Sequence, residues 1–419
     1  MSNKDNTIIS LDVGSSNIRA AAAQINVEGE VQILGVTSVK SRGVRRGSVI
    51  DVEDASGAVG EVINKLERII DCRVQDIILG IGGTEIKLQK TKGVVAIGRA
   101  NGTVEEEDIQ RVLEAAKNAA MPINSEIVHS VARNYKLDDQ DEIRNPLGLK
   151  GIRLEADVLT VEDSSTHIGN LTKSVGHYVN IDEVAINSIA ASSVVLDKGQ
   201  KELGVAIVDI GGGTTSITIY EEGELNYIKV LPIGAGHITN DIAIGLRTSI
   251  DVAERIKLEY GSAFPQEINK RDIIELSEID IKEEGTVLRH HVAEIIEARL
   301  REIFEMVNND LKKIGKAGLL PAGVVLIGGG SELPGVVSFA KDILGLPAKT
   351  GYPTEVMGVL DKIDSPSFST VVGLLVNSYQ SALKKNKNHN KYTHFFSTDK
   401  INIKKIGGKI KRWTDNFLP

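Results

Sequence analysis

The strongest constraint on this chain is a turn that occurs twice. An apolar strand at residues 8–11 runs into Asp12-Val13-Gly14-Ser15-Ser16-Asn17, and the apolar pattern resumes at Ile18. Far downstream the design returns. Residues 205–208 lead into Asp209-Ile210-Gly211-Gly212-Gly213-Thr214-Thr215, and Ser216-Ile217-Thr218-Ile219-Tyr220 carries the pattern onward. Each reads as a β-hairpin with an aspartate ending the first strand and a turn of small residues. Two copies of one device at domain-scale spacing indicate an internal duplication, with two related α/β domains facing each other. A third apolar run, 324–327, ends in Gly328-Gly329-Gly330-Ser331, and Pro334 opens a helix over 334–344.

These three turns point to phosphate. Phosphate groups need backbone N–H donors at close range, and glycine lets the backbone approach and take positive φ. Two such turns closing from opposite domains can grip one nucleotide. Asp12 and Asp209 stand where carboxylates could hold Mg²⁺ through its waters, an ion that takes oxygen ligands and keeps several waters. A fourth glycine run, Gly80-Ile81-Gly82-Gly83-Thr84, is read instead as a strand end turning into an insert. The eight histidines form no HExxH-like spacing, so no transition metal is expected.

Helical spacing predicts helices over 55–70, 105–120 (with Thr103 as a candidate cap), 167–178, 250–260 and 289–313. Alternation of strands and helices gives an α/β layered body. Residues 84–158 interrupt the first domain with strands at 86–89, 94–96 and 154–159, one helix, and a turn-rich segment 138–151. A second insert spans about 237–301. The expected division is 1–83 with 159–202 and about 366–383 for domain I, and 203–236 with 302–365 for domain II. Residues 384–402 read as a flexible linker. One cysteine, Cys72, excludes a disulfide framework, and aromatics are only 4%, so the core rests on Val, Ile, Leu and Ala. Net charge is −8, yet the last residues from Lys384 hold a basic excess, leaving an acidic body that argues against nucleic acid as a partner.

The stretches DVGSSN, VDIGGGTT and IGGGSELPG resemble the two phosphate motifs and the adenosine motif of the actin, sugar-kinase and heat-shock-chaperone superfamily. Within it the chain is similar over nearly its whole length to the FtsA family, through AERIKLEYG, NPLGLKG before RLEADV, ASSVVL, EARLREI and FSTVVGLL. The resemblance implies an actin-like fold with duplicated ATPase domains, subdomain 1C inserted at 84–158, subdomain 2B at 237–301, and ATP with Mg²⁺ between the domains. Carried over, Asp12, Gly14, Ser15, Ser16 and Asn17 would meet the phosphates from one side. Gly211, Gly212, Gly213, Thr214 and Thr215 would meet them from the other. Gly234, Gly236, Gly328, Gly329, Gly330 and Ser331 would surround the adenosine. Glu254 and Lys257, at i,i+3, resemble the ribose and adenine contacts; from spacing alone they equally suit a solvated helix ion pair. Active relatives place a Glu or Gln to orient water before the second phosphate motif. Here Asn187 is the nearest candidate, so slow or conditional hydrolysis is expected.

At the end of the chain, Ile403, Ile406, Ile410, Trp413 and Phe417 fall on one helical face, flanked or opposed by Lys404, Lys405, Lys409, Lys411 and Arg412. This is the pattern of a helix lying in a membrane interface, here over 403–418. The resemblance implies a membrane-targeting helix there, attachment to the cytoplasmic face of the inner membrane at the division septum, head-to-tail filaments, and other divisome membrane proteins as partners. It also implies that subdomain 2B receives the C-terminal peptide of FtsZ, with Arg299 as a cation suited to an acidic peptide. A sugar or acid kinase, a chaperone and the actin-like protein of type IV pilus assembly are the competing readings. A kinase would need a substrate base, and a chaperone a large β-rich domain after the ATPase. The pilus protein would lack the terminal amphipathic helix.

Overall fold

The computed structural model describes residues 7–26, 28–98, 101–120, 123–354, 356–359 and 363–387. Two mixed sheets carry the body. The first orders its strands Asn180–Ile186, Asp76–Ile81, Thr7–Val13, Asn17–Ile25, Val31–Lys40 and Met357–Gly358. The second orders Glu224–Leu231, Thr215–Glu221, Val205–Ile210, Val324–Ile327 and Ala348–Thr350. In each, a three-strand antiparallel meander continues into two parallel strands beside its first member. The duplication read from the two turns is thus a duplication of whole sheets.

Alternation across the pleat decides how the second sheet packs. Val205, Ile207, Val325 and Ile327 point into a core shared with the first half. Their neighbours Ala206, Val208, Val324 and Leu326 pack against helices Ala235–Leu246, Ile250–Tyr260, Arg289–Lys313 and Val336–Leu344. The consecutive apolar positions are needed because both faces are covered. In the first half, helix Val52–Ile70 lies on the same core, its first turn capped by the Asp51 carboxylate accepting from Glu53 N–H and Asp54 N–H. That cap starts the helix before the expected residue 55. The opposite face is sealed by helix Ser369–Lys387, where the buried Ser10 hydroxyl donates to the Val371 carbonyl at 2.7 Å.

The interruption of the first domain is a module with its own core. Strands Lys87–Ala96, Arg153–Ser164, Ser125–Leu137 and Gln140–Ile143 form an antiparallel sheet covered by helix Glu106–Ala120. Ile109, Val112, Leu113 and Ala116 of the helix meet Leu137, Leu154, Ala156 and Val158 of the sheet. Gly93 allows the close approach: a Cβ there would lie 1.9 Å from the Val112 carbonyl oxygen.

Several local expectations change. Thr103 does not cap the helix; it bridges to Lys150, and the Asp108 carboxylate accepts the Glu105 N–H at 3.0 Å. The helix expected over 167–178 is Ser165–Val175, ended at Gly176. The segment 138–151 contains the strand Gln140–Ile143. The boundary placed at 301 falls inside the continuous helix Arg289–Lys313, and the last helix runs to Lys387, past the expected start of a linker at 384. The rest of the linker and the amphipathic segment 403–418, with Ile403, Ile406, Ile410, Trp413, Phe417, Lys405, Lys409 and Arg412, lie outside the described residues.

Candidate functional site

A cavity of about 370 Å³ lies where the two halves meet. Its floor is built by the two repeated turns. Asp12 is the penultimate residue of strand Thr7–Val13, as Asp209 is of Val205–Ile210, so each acid is delivered by a buried central strand. Gly14, Ser15, Ser16 and Asn17 line one side, and Gly211, Gly212, Gly213 and Thr214 line the other. The turns approach so closely that a Cβ on Gly212 would sit 1.9 Å from Ser16 Oγ, and one on Gly213 2.6 Å from Ser15 Oγ. Only glycine fits at either place.

The third loop closes over them. Gly328, Gly329 and Gly330 line the cavity, with Gly328 at φ 80° and its α-carbon packed so near Asp209 that a Cβ would lie 2.2 Å from Oδ1. Ser331 is buried and returns its hydroxyl to the Gly328 carbonyl at 2.7 Å, so it shapes the loop and does not line the cavity. Thr215 likewise turns away, its hydroxyl donating to the Ile233 carbonyl at 2.8 Å. Gly234 packs behind the second turn against the Gly211 and Gly212 carbonyls, while Gly236 reaches the lining.

Glu254 and Lys257 face the cavity from helix Ile250–Tyr260. Lys257 is buried, and its ammonium donates to Glu254 Oε2 at 2.6 Å and to the Thr239 hydroxyl at 2.9 Å. This arrangement replaces the solvated helix pair that spacing alone allowed.

The electrostatics are unusual for a resting pocket. Burial pushes the Asp209 carboxyl up to about 6; the nearby Asp12 charge adds to the push and Arg19 opposes it. Burial also raises Asp12, held back by Arg19 and by the hydrogen bond from Asn187. Asn187 Nδ2 donates to Asp12 Oδ1 at 2.8 Å, which leaves Asn187 Oδ1 buried without a partner. Two acids whose ionised forms burial disfavours, beside phosphate-sized glycine turns and together with an orphaned carbonyl oxygen, fit a hydrated divalent cation. Such an ion would be held by Asp12 and Asp209.

Three parts of this site were not assigned to it from the sequence. Arg19 lies directly across the first hairpin from Asp12, which the register of the two strands fixes. Gly82 and Gly83 line the cavity although their run also ends strand Asp76–Ile81 and leads into the insert. The run therefore ends the strand, as expected, and also borders the cavity. Gly47 belongs to a small hairpin, Val44–Arg45 with Ser48–Val49, whose tip presses on the turns. Its N–H donates to Ser15 Oγ at 2.8 Å. The run of two arginines between glycines, Gly43 to Gly47, was the available signal.

Arg299 lies away from this cavity. Its guanidinium grips Asp241 through Nε (2.6 Å) and Nη2 (2.9 Å) and also contacts Glu302. It is an engaged cation, not a free one.

Comparison with known proteins places this geometry. The family described as cell division protein FtsA matches residues 206–373, and the SHS2 domain inserted in FtsA matches residues 83–162. Cell division protein FtsA of Pseudomonas aeruginosa is 35% identical over 374 residues, covering 89% of each chain. The chain belongs to the FtsA family. FtsA of Bacillus subtilis is also 35% identical over 374 residues, covering 89% of this chain and 83% of its own. The fold is actin-like α/β, and its inserted module is the SHS2 domain of FtsA, which occupies the expected place of the 1C insert. Among solved structures, the PilM-PilN type IV pilus biogenesis complex superimposes with a TM-score of 0.64 at 16% identity, covering 89% of this chain and 98% of that one. That likeness concerns the fold alone, and the FtsA relatives separate this chain from the pilus reading.

Proposed function

We propose that this FtsA-family chain, whose relatives carry a role in bacterial cell division, is an ATP-dependent adaptor. It binds Mg²⁺–ATP between its two halves and polymerises on the cytoplasmic face of the inner membrane. It tethers FtsZ filaments there, and later divisome proteins gather on it. The observation that carries the reading is the closure of two glycine turns on one another around the paired acids Asp12 and Asp209. Backbone N–H groups of Ser15, Ser16, Gly212 and Gly213 would hold phosphate oxygens, while the Gly211 N–H closes the turn by donating to the Thr214 carbonyl at 2.9 Å, and the Glu254–Lys257 pair would face the nucleoside. When bound, the ion would screen the charge between phosphates and carboxylates.

Asn187 can hold a water through its free carbonyl oxygen. The Asn187 side chain is one methylene shorter than the Glu or Gln of active relatives and is tied through Nδ2 to Asp12, which supports slow hydrolysis. Titration with a labelled adenine nucleotide tests the proposal. Saturable, Mg²⁺-dependent binding with far less than one turnover per second is expected, and a folded protein that takes up no nucleotide would refute it.

Membrane attachment is assigned to 403–418, with Trp413 at the edge of the apolar face, suited to the headgroup region. No helix among the described residues is long and apolar enough to cross a membrane. A single interfacial tail gains ~1 kcal/mol per basic residue near an anionic surface. One copy therefore binds reversibly, and a filament presenting many tails binds firmly. Trp413→Glu is expected to abolish co-sedimentation with anionic vesicles while leaving the melting temperature unchanged; retained sedimentation would remove this assignment.

A further inference from the structure

Away from the nucleotide turns, one buried charged pair is not used by the function above. His167 begins the helix Ser165–Val175 and is almost fully enclosed. Its Nδ1 meets Asp163 Oδ2 at 2.6 Å, and its Nε2 meets the Gly47 carbonyl oxygen at 2.9 Å. A carboxylate and a carbonyl can only accept, so both ring nitrogens must donate. Removing one proton from the His167–Asp163 pair would set a lone pair against a lone pair at one end or the other.

The two ends of this contact belong to different parts of the molecule. Asp163 sits at the root of the inserted module, near the end of strand Arg153–Ser164, with its Oδ1 fixed by the Ser164 N–H at 2.8 Å. Gly47 is the tip of the small hairpin whose N–H reaches Ser15 Oγ at 2.8 Å, and Ser15 Oγ lies against Gly213. A continuous chain of contacts therefore runs from the insert, through one imidazole and the two peptide units that flank the Gly47 α-carbon, to both phosphate turns.

We propose that His167 is a positioning residue for the nucleotide site: as a double donor it holds the Gly47 peptide, and through it the Ser15 hydroxyl, in the arrangement that receives phosphate, and it makes that arrangement answer to the position of the insert. The inference rests on the nucleotide reading of the cleft. Burial by itself would lower the ring's proton affinity. The Asp163 hydrogen bond and charge, the Gly47 carbonyl and the Glu85 charge outweigh burial and keep the ring above the ordinary imidazole value. The acting charges are Asp163 from the insert and Glu85 from the turn after strand Asp76–Ile81, both acids. Helix Val52–Ile70 and strands Ser48–Val49 and Asn180–Ile186 also pack on this helix, and no charge from them acts on the ring. Glycine at 47, φ 78°, lets the tip lie against Gly83, so the carbonyl can be fixed without a side chain in the way.

The test is the affinity of a fluorescent ATP analogue, with Mg²⁺, from pH 7 to pH 9, above the window in which Asp209 itself titrates, for the full chain and two variants. In the wild type, affinity should fall as pH rises through the raised imidazole value. His167→Phe keeps the packing and removes both donors; its affinity should be about tenfold weaker, the scale of a lost charge-assisted hydrogen bond, and flat across this range. His167→Gly should be weak and partly restored by added imidazole, which a purely structural defect would not show. Direct ¹⁵N detection of the wild-type ring should find both nitrogens protonated at pH 7, a measurement that holds even if a variant fails to fold. A neutral ring at pH 7, or His167→Phe with wild-type affinity and pH profile, overturns the proposal. A wild type that binds no nucleotide instead overturns the reading of the cleft itself and the proposal with it.

Discussion

Asp209 shows how a residue can cost stability in one state and gain its use in another. Its folded value of about 6 stands above the ordinary 3.8. Below 3.8 the carboxyl is protonated in folded and unfolded chains alike. As pH rises through the window between these values, the unfolded chain releases the proton and the folded chain retains it. Stability therefore falls across that window. The cost above pH 6 is on the order of 3 kcal/mol. Asp209→Asn is expected to flatten this decline and to raise unfolding resistance at pH 7.5 without ligand, while weakening Mg²⁺-dependent nucleotide binding. Denaturant melts at pH 4.5 and 7.5, with and without Mg²⁺–ATP, check both signs. Asp12 and Asp209 were legible because an acid at a strand end before glycines is a local pattern. Arg19 was not, because its importance comes from facing Asp12 across a hairpin register. His167 and Asp163 were invisible as a pair, since one lies in the first turn of a helix and the other near the end of a strand, and the imidazole's second partner, Gly47, is distant in sequence.

Elements were legible in proportion to how uniformly one face is buried. Helices at 250–260 and 289–313 were read with their bounds because the apolar spacing is sustained in both, and in the first a cap agrees with it, Ser249 accepting the Val252 N–H. The long strand Ser125–Leu137 was missed: most of its side chains are only half-buried, so its Lys, Arg, Asn and His residues hide the alternation. The insert's sheet also depends on a contact no pattern announces, the seat of helix Glu106–Ala120 on Gly93. Gly93→Ala would drive a methyl into the Val112 backbone, and a loss of about 1–3 kcal/mol is expected, typical of overpacking. Hydrogen exchange should find the loss within the insert's amides, with those of the two main sheets unchanged.

At the scale of the whole molecule, the second-half contact made by Arg299 changes what its substitution would mean. Arg299→Glu would leave Asp241 and Glu302 facing a third acid, so a lower melting temperature is expected along with any change in FtsZ-peptide affinity. Unchanged stability together with unchanged peptide binding would clear Arg299 of both roles. The duplication was readable because it repeats a short motif; the sharing of one core between halves was not, since it depends on which face of strand Val205–Ile210 meets which sheet. The insert leaves the body at Lys87 and re-enters past Glu162, and these two residues are paired neighbours on adjacent strands. Entrance and exit thus form a single stalk. A tug on the far end of this module, by whatever it grasps, reaches the first sheet through that stalk and the second through the insert's strand Lys87–Ala96, which touches Glu224–Leu231.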